Sequence, residues 1–77
     1  MMQFVIGSKQ TVKMVEQGNA ILVYVAQDAD QRMTDKIVRL CETAGVPISW
    51  VDTMKNLGVT CGIEVGAAMA AVIPEIE

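Results

Sequence analysis

Residues 20–26 read AILVYVA, seven apolar residues in a row, rich in β-branched or aromatic side chains and with no charge. A strand with one wet face would alternate apolar and polar residues. An unbroken run of this length reads instead as a strand covered on both faces. A chain containing such a strand must supply two covering layers, and the flanking sequence offers helices for both.

Before the run, FVI (residues 4–6) is a short strand candidate, punctuated by Gly7. SKQTVKMVEQG then reads as a helix, with Ser8 as N-cap, Val12 and Val15 as an apolar stripe and Gly18 as the stop. After the run, QDAD (27–30) is a polar turn. Residues 31–44 form the longest helix candidate. Met33, Ile37, Leu40, Cys41 and Ala44 recur at helical spacing, with Asp35, Lys36, Arg39 and Glu42 largely on the other side. Gly45 ends this helix and Pro47 lies just beyond. ISWV (48–51) is a strand. Thr53 caps a short helix through Leu57 that Gly58 stops, and AAMAAVI (67–73) is a final strand of small side chains. The order β-α-β-α-β-α-β predicts an α/β fold with a sheet between helical layers. At 77 residues the whole chain, 1–77, is one domain. Phe4, Tyr24 and Trp50 are its only aromatics, so aliphatic side chains must fill the core.

Several function classes are disfavoured. No apolar run approaches the roughly 18 residues of a membrane span, and MMQFVIGSK lacks the pattern of a secretory signal; a cytoplasmic protein is expected. Cys41 and Cys61 make no CxxC pattern and the chain has no His, which argues against a zinc site and leaves two buried thiols as the simplest reading. Without His there is no partner to activate a Ser or Cys nucleophile. Cys61, in a glycine-framed turn, is the remaining reactive candidate, and packing is the better reading of it. Asp28 and Asp30 are read as turn and capping residues rather than an acid–base pair. Phosphate-loop and dinucleotide motifs are missing. The expectation is a protein that is not an enzyme and holds no cofactor or metal.

The net charge of −3 argues against non-specific nucleic-acid binding, yet the charges are unevenly spread. Residues 1–13 carry Lys9 and Lys13 and no acid; residues 53–63 carry Lys55 and no acid. If these segments meet, they form a basic patch on an acidic protein. Lys9 and Lys13 share a helix face and sit at the positive end of the helix dipole, where an arriving polyanion would relieve their repulsion. Gln10, between them, offers both donor and acceptor atoms to a base edge. A merely solvated face explains the two lysines equally well. The stretch LGVTCGIEVG (57–66) sets Glu64 between Ile63 and Val65, among three glycines. Taken alone, it reads as a tight turn whose apolar residues pack.

Four segments, GSKQTVK (7–13), VAQDAD (25–30), KNLG (55–58) and CGIEVGAA (61–68), change that balance. Together they resemble the kink-turn RNA-binding ribosomal-protein family, that of the archaeal ribosomal protein shared with small RNA-guided modification complexes, and especially its small bacterial YbxF-like members. The resemblance covers nearly the whole chain. It implies a three-layer α/β/α sandwich with a mixed four-stranded sheet, and an RNA face joining the start of the first long helix to the turn before the last strand. On that alignment Lys9, Gln10 and Lys13 address tandem sheared G·A pairs and adjacent phosphates. Gly7 and Ser8 let the backbone approach. Ile63, Glu64 and Val65 cover unpaired loop nucleotides, and Asp30 and Lys55 flank the pocket of a flipped-out base. The chain departs from many archaeal and eukaryotic members, which carry Asn-Glu where it has Lys9-Gln10. The implied function is recognition and stabilisation of bent kink-turn RNA by a monomer, in the ribosome or a structured leader. The rival is a protein-interaction module on the same fold, which the acidic net charge favours.

Overall fold

The computed structural model describes residues 2–74. The elements run β1 (Met2–Ile6), α1 (Ser8–Glu16), β2 (Leu22–Ala26), α2 (Gln31–Ala44), β3 (Ile48–Val51), α3 (Met54–Cys61) and β4 (Met69–Pro74). The four strands form one sheet in the order β1-β4-β2-β3. β4 is antiparallel to both of its neighbours, with Phe4 opposite Val72 and Val23 opposite Ala71. β2 and β3 are parallel, with Tyr24 opposite Ser49. The sheet is therefore mixed and four-stranded, as the resemblance implied.

Side chains alternate across this sheet and divide the core in two. Val23 and Val25 of β2, with Met69 and Ala71 of β4, face α1 and α2, where they meet Val15, Ile37 and Cys41. Ala26 and Tyr24 lie on the opposite face, with Leu57 of α3 and Ala67. Helices thus cover both faces and make three layers. The AILVYVA run is explained, because β2 is interior in the sheet and buried from both sides. The alanines of β4 serve the same end: Ala70 and Ala71 are fully buried, and their small side chains admit the helices closely. Phe4 and Tyr24 lie 6.0 Å apart at 43° and are half-buried on the α3 side.

Two helix boundaries differ from the sequence reading. Ser8 is the first helical residue of α1 and not its cap; Gly7 holds the cap position without a side-chain hydrogen bond. The reason is the exit from β1. The Gly7 N–H donates to the Met69 carbonyl (3.1 Å) while the chain turns at φ 105°, a value that favours glycine. In the second case α3 does not stop at Gly58 but continues to Cys61 and ends at Gly62. Gly58 lies inside the helix because another segment needs its missing side chain, as described below. Thr53 caps α3 as expected, accepting from the Asn56 N–H at 3.0 Å.

Candidate nucleic-acid interface

Because β1, β2 and β3 all run antiparallel to β4 in direction, they finish at the same end of the sheet. Each leads directly into a helix there. The N-termini of α1, α2 and α3, and the turn that enters β4, are gathered at that end. Three helix N-termini bring unpaired N–H groups and the positive ends of three dipoles to one region.

These termini are not equivalent. Asp30 caps α2, its carboxylate accepting from the Arg32 N–H at 2.9 Å. α3 is held by Thr53 and by Asp28, whose carboxylate accepts from the Met54 N–H at 2.8 Å. Asp28 and Asp30 therefore do the turn and capping work expected of them. α1 has neither a side-chain cap nor an acid in its first turn. Its first residues, Ser8, Lys9 and Gln10, bring a hydroxyl, a cation and an amide to a terminus that still has N–H groups to offer an anion.

The turn before β4 is fastened from several sides. The Ile63 N–H donates to the Gly58 carbonyl and the Ala67 N–H to the Met54 carbonyl, each at 3.0 Å. A Cβ on residue 58 would collide with the Val65 carbonyl, and one on residue 66 would press on the Met54 backbone at 3.3 Å. The turn thus folds back along α3 over two glycines. Ile63 points inward and joins the apolar cluster of Leu57 and Ala26. Glu64 is exposed, and Val65 is 69% exposed.

The two acid-free segments share this end of the molecule. Gly7 is bonded to Met69, and Ile6 and Ile63 pack against the same cluster. Ala29 packs there too, and the Asp28–Met54 hydrogen bond joins the Asp30 turn to the residue beside Lys55. Ser8, Lys9, Gln10 and Lys13 line one concavity of about 690 Å³, whose wall contains neither Asp30, Lys55 nor residues 63–65. The candidate residues therefore fall into two groups, α1 and α3 with its turn, with Asp30 on the cap of α2. α1 is short, so Lys9 is in its first turn but Lys13 is in its last, not at the positive end of the dipole where the sequence reading put both.

The family description "Ribosomal protein L7Ae/L30e/S12e/Gadd45 family" matches residues 2–77. The chain belongs to that family. An RNA-binding protein of Geobacillus sp. (strain WCH70) is 48% identical over 69 residues, covering 90% of this chain and 84% of that protein. The RNA-binding protein YbxF of Geobacillus stearothermophilus is 44% identical over 71 residues, covering 92% and 87%. Among solved structures, the 15.5kD RNA binding protein of Giardia lamblia superposes with a TM-score of 0.87 at 28% identity, covering 95% of this chain and 62% of that one.

This chain is a non-catalytic member of the L7Ae/L30e/S12e/Gadd45 family. Cys61, the reactive candidate, is in the last turn of α3 and not in the loop; it is half-buried, and burial pushes its thiol pKa up, away from the reactive thiolate. Cys41 is fully buried in the core. Among the described residues no group of His, Cys, Asp and Glu could hold a metal ion, and no helix is long and apolar enough to cross a membrane.

Sequence reasoning missed two residues here. Lys36, assigned to the outer side of α2, lines the same concavity as Lys9 and Lys13. Its spacing from Arg32 and Arg39, four and three residues away, was the available signal. Val59 is 70% exposed on α3; the expected stop at Gly58 left it outside any helix.

Proposed function

We propose that this chain binds RNA and holds kink-turn motifs in their bent form, acting as a monomer on ribosomal RNA or a structured leader. The observation that carries the reading is the pairing, at one end of the sheet, of an uncapped and lysine-bearing α1 N-terminus with a rigid turn that exposes Val65. The RNA-binding names of its relatives and the family resemblance supply the class of ligand.

Bending crowds phosphates, so the bent RNA is electrostatically costly. A protein that contacts only that form shifts the equilibrium toward it by its differential affinity. Lys9, Lys13 and Lys55 neutralise phosphates, and the first N–H groups of α1 donate to a phosphate oxygen. Gly7 and Ser8 allow close approach, and Gln10 addresses a base edge. Val65 lies against an unstacked base face, the kind of surface RNA presents at bulges and loops. Ile63 anchors the turn from below, and Glu64 turns its carboxylate to a ribose hydroxyl or an exocyclic amine. Asp30 and Lys55 stand beside the flipped-out base.

Two substitutions test this reading by titration of a kink-turn RNA at fixed salt. Lys13→Ala weakens binding to all kink-turns alike and makes the salt slope shallower by about one. Val65→Glu abolishes binding while the domain stays folded, because the side chain is exposed. Unchanged affinity in a folded Val65→Glu variant would remove the turn from the site.

A further inference from the structure

Five of the six cationic side chains of the chain line two adjoining concavities between α1 and α2. Lys9, Lys13 and Lys36 line the first; Arg32, Lys36 and Arg39 line the second, of about 600 Å³. Lys36, Val12 and Glu16 belong to both, which makes them one groove. Arg32, Lys36 and Arg39 recur at i, i+4 and i+7 and share a face of α2, a stripe about 10 Å long at 1.5 Å per residue.

The groove is electropositive on an acidic protein. Among the described residues its five cations face two carboxylates, Glu16 and Asp35, whereas the other five carboxylates, Asp28, Asp30, Glu42, Asp52 and Glu64, are accompanied by Lys55 alone. Arg32, Lys36 and Arg39 are all exposed. Among the described residues, no lysine or arginine head group donates a side-chain hydrogen bond. One end of the groove is the uncapped start of α1, so it continues from the contact proposed above.

We infer that this groove takes the phosphate backbone of an RNA stem adjoining the kink, with Arg32, Lys36 and Arg39 as its contacts. The inference rests on the kink-turn reading. An elongated stripe of cations fits a run of phosphates better than a single anion. No aromatic side chain lines the groove, so a single strand would find no stacking platform there. A duplex held by its backbone needs none.

The test compares wild type with the triple variant Arg32→Gln, Lys36→Gln, Arg39→Gln across a salt series. Three RNAs are used: a kink-turn with long stems, the same motif with its stems cut to the minimum that still pairs, and a plain duplex. The triple variant binds the long-stem RNA about tenfold or more weakly, with a salt slope shallower by about two to three. On the shortened RNA the two proteins bind alike. Equal affinity and slope on the long-stem RNA would overturn the inference and leave the groove to an acidic protein surface. An equal loss on long and short RNAs would also overturn it, by moving the three residues to the kink itself. Failure of the kink-turn reading looks different: wild type would bind the motif and the plain duplex equally, and the triple variant would still lose affinity for both.

Discussion

Thr11 is fully buried in α1, and its hydroxyl oxygen has no hydrogen-bond partner. A buried hydroxyl left without a partner costs about 1–3 kcal/mol. Thr11→Val keeps the branched shape and removes the oxygen. The substitution is expected to stabilise the domain by about 1 kcal/mol and raise Tm by about 4–8 °C, which thermal unfolding would read directly. A lower Tm would mean that the hydroxyl has a partner in solution. Thr11 also shows how a single residue misleads. The inward stripe of α1 reads as Val12 and Val15 from the sequence, but Thr11 and Val15 are the buried pair and Val12 is half-buried. A polar residue on the inner face hid the true phase of the helix.

At the scale of elements, α3 and the turn after it behave as one unit. Glycine in an exposed helix interior is destabilising, and Gly→Ala in such a helix gains about 1 kcal/mol. Gly58→Ala is expected to do the opposite. Its Cβ meets the Val65 carbonyl, so it should cost about 1–3 kcal/mol as overpacking does and displace Val65 from the RNA. Thermal unfolding and RNA titration on one preparation would check both effects. A stabilised variant with normal affinity would show that the helix and the turn do not touch. The sequence reading ended α3 at this glycine because helix propensity is local, whereas the reason for a glycine there is a segment seven residues further on. α2 presented no such conflict. Its capping Asp30, its apolar spacing and Gly45 all agree, and residues 31–44 were legible from the sequence alone. Strand pairing was not legible in that way. β1 lies beside β4, from the far end of the chain, and no local pattern specifies such a partner; the family resemblance implied a mixed four-stranded sheet but not its strand order.

For the whole molecule, the central question is how a chain of net charge −3 holds a polyanion. The answer offered here is segregation. Strand direction brings three helix N-termini to one end of the sheet, and carboxylates cap two of them. The third, the start of α1, has no acid in its first turn and carries Lys9, with Lys13 in the last turn of the same short helix. The unequal charge of the two segments was visible in the sequence. Their meeting was not, because it depends on Gly7 bonding to Met69 and on Ile6 and Ile63 sharing a core. The role proposed for the turn at residues 63–65 rests on the resemblance, since a packed turn explains the same residues. The most direct measurement is a calorimetric titration of the wild-type chain at one stated salt concentration. It compares a standard kink-turn RNA with the same RNA after its tandem G·A pairs are replaced by Watson–Crick pairs. Tight binding to the first and little to the second is the predicted result. Equal, weak and salt-sensitive binding to both, or binding to neither, would contradict recognition of the bent form.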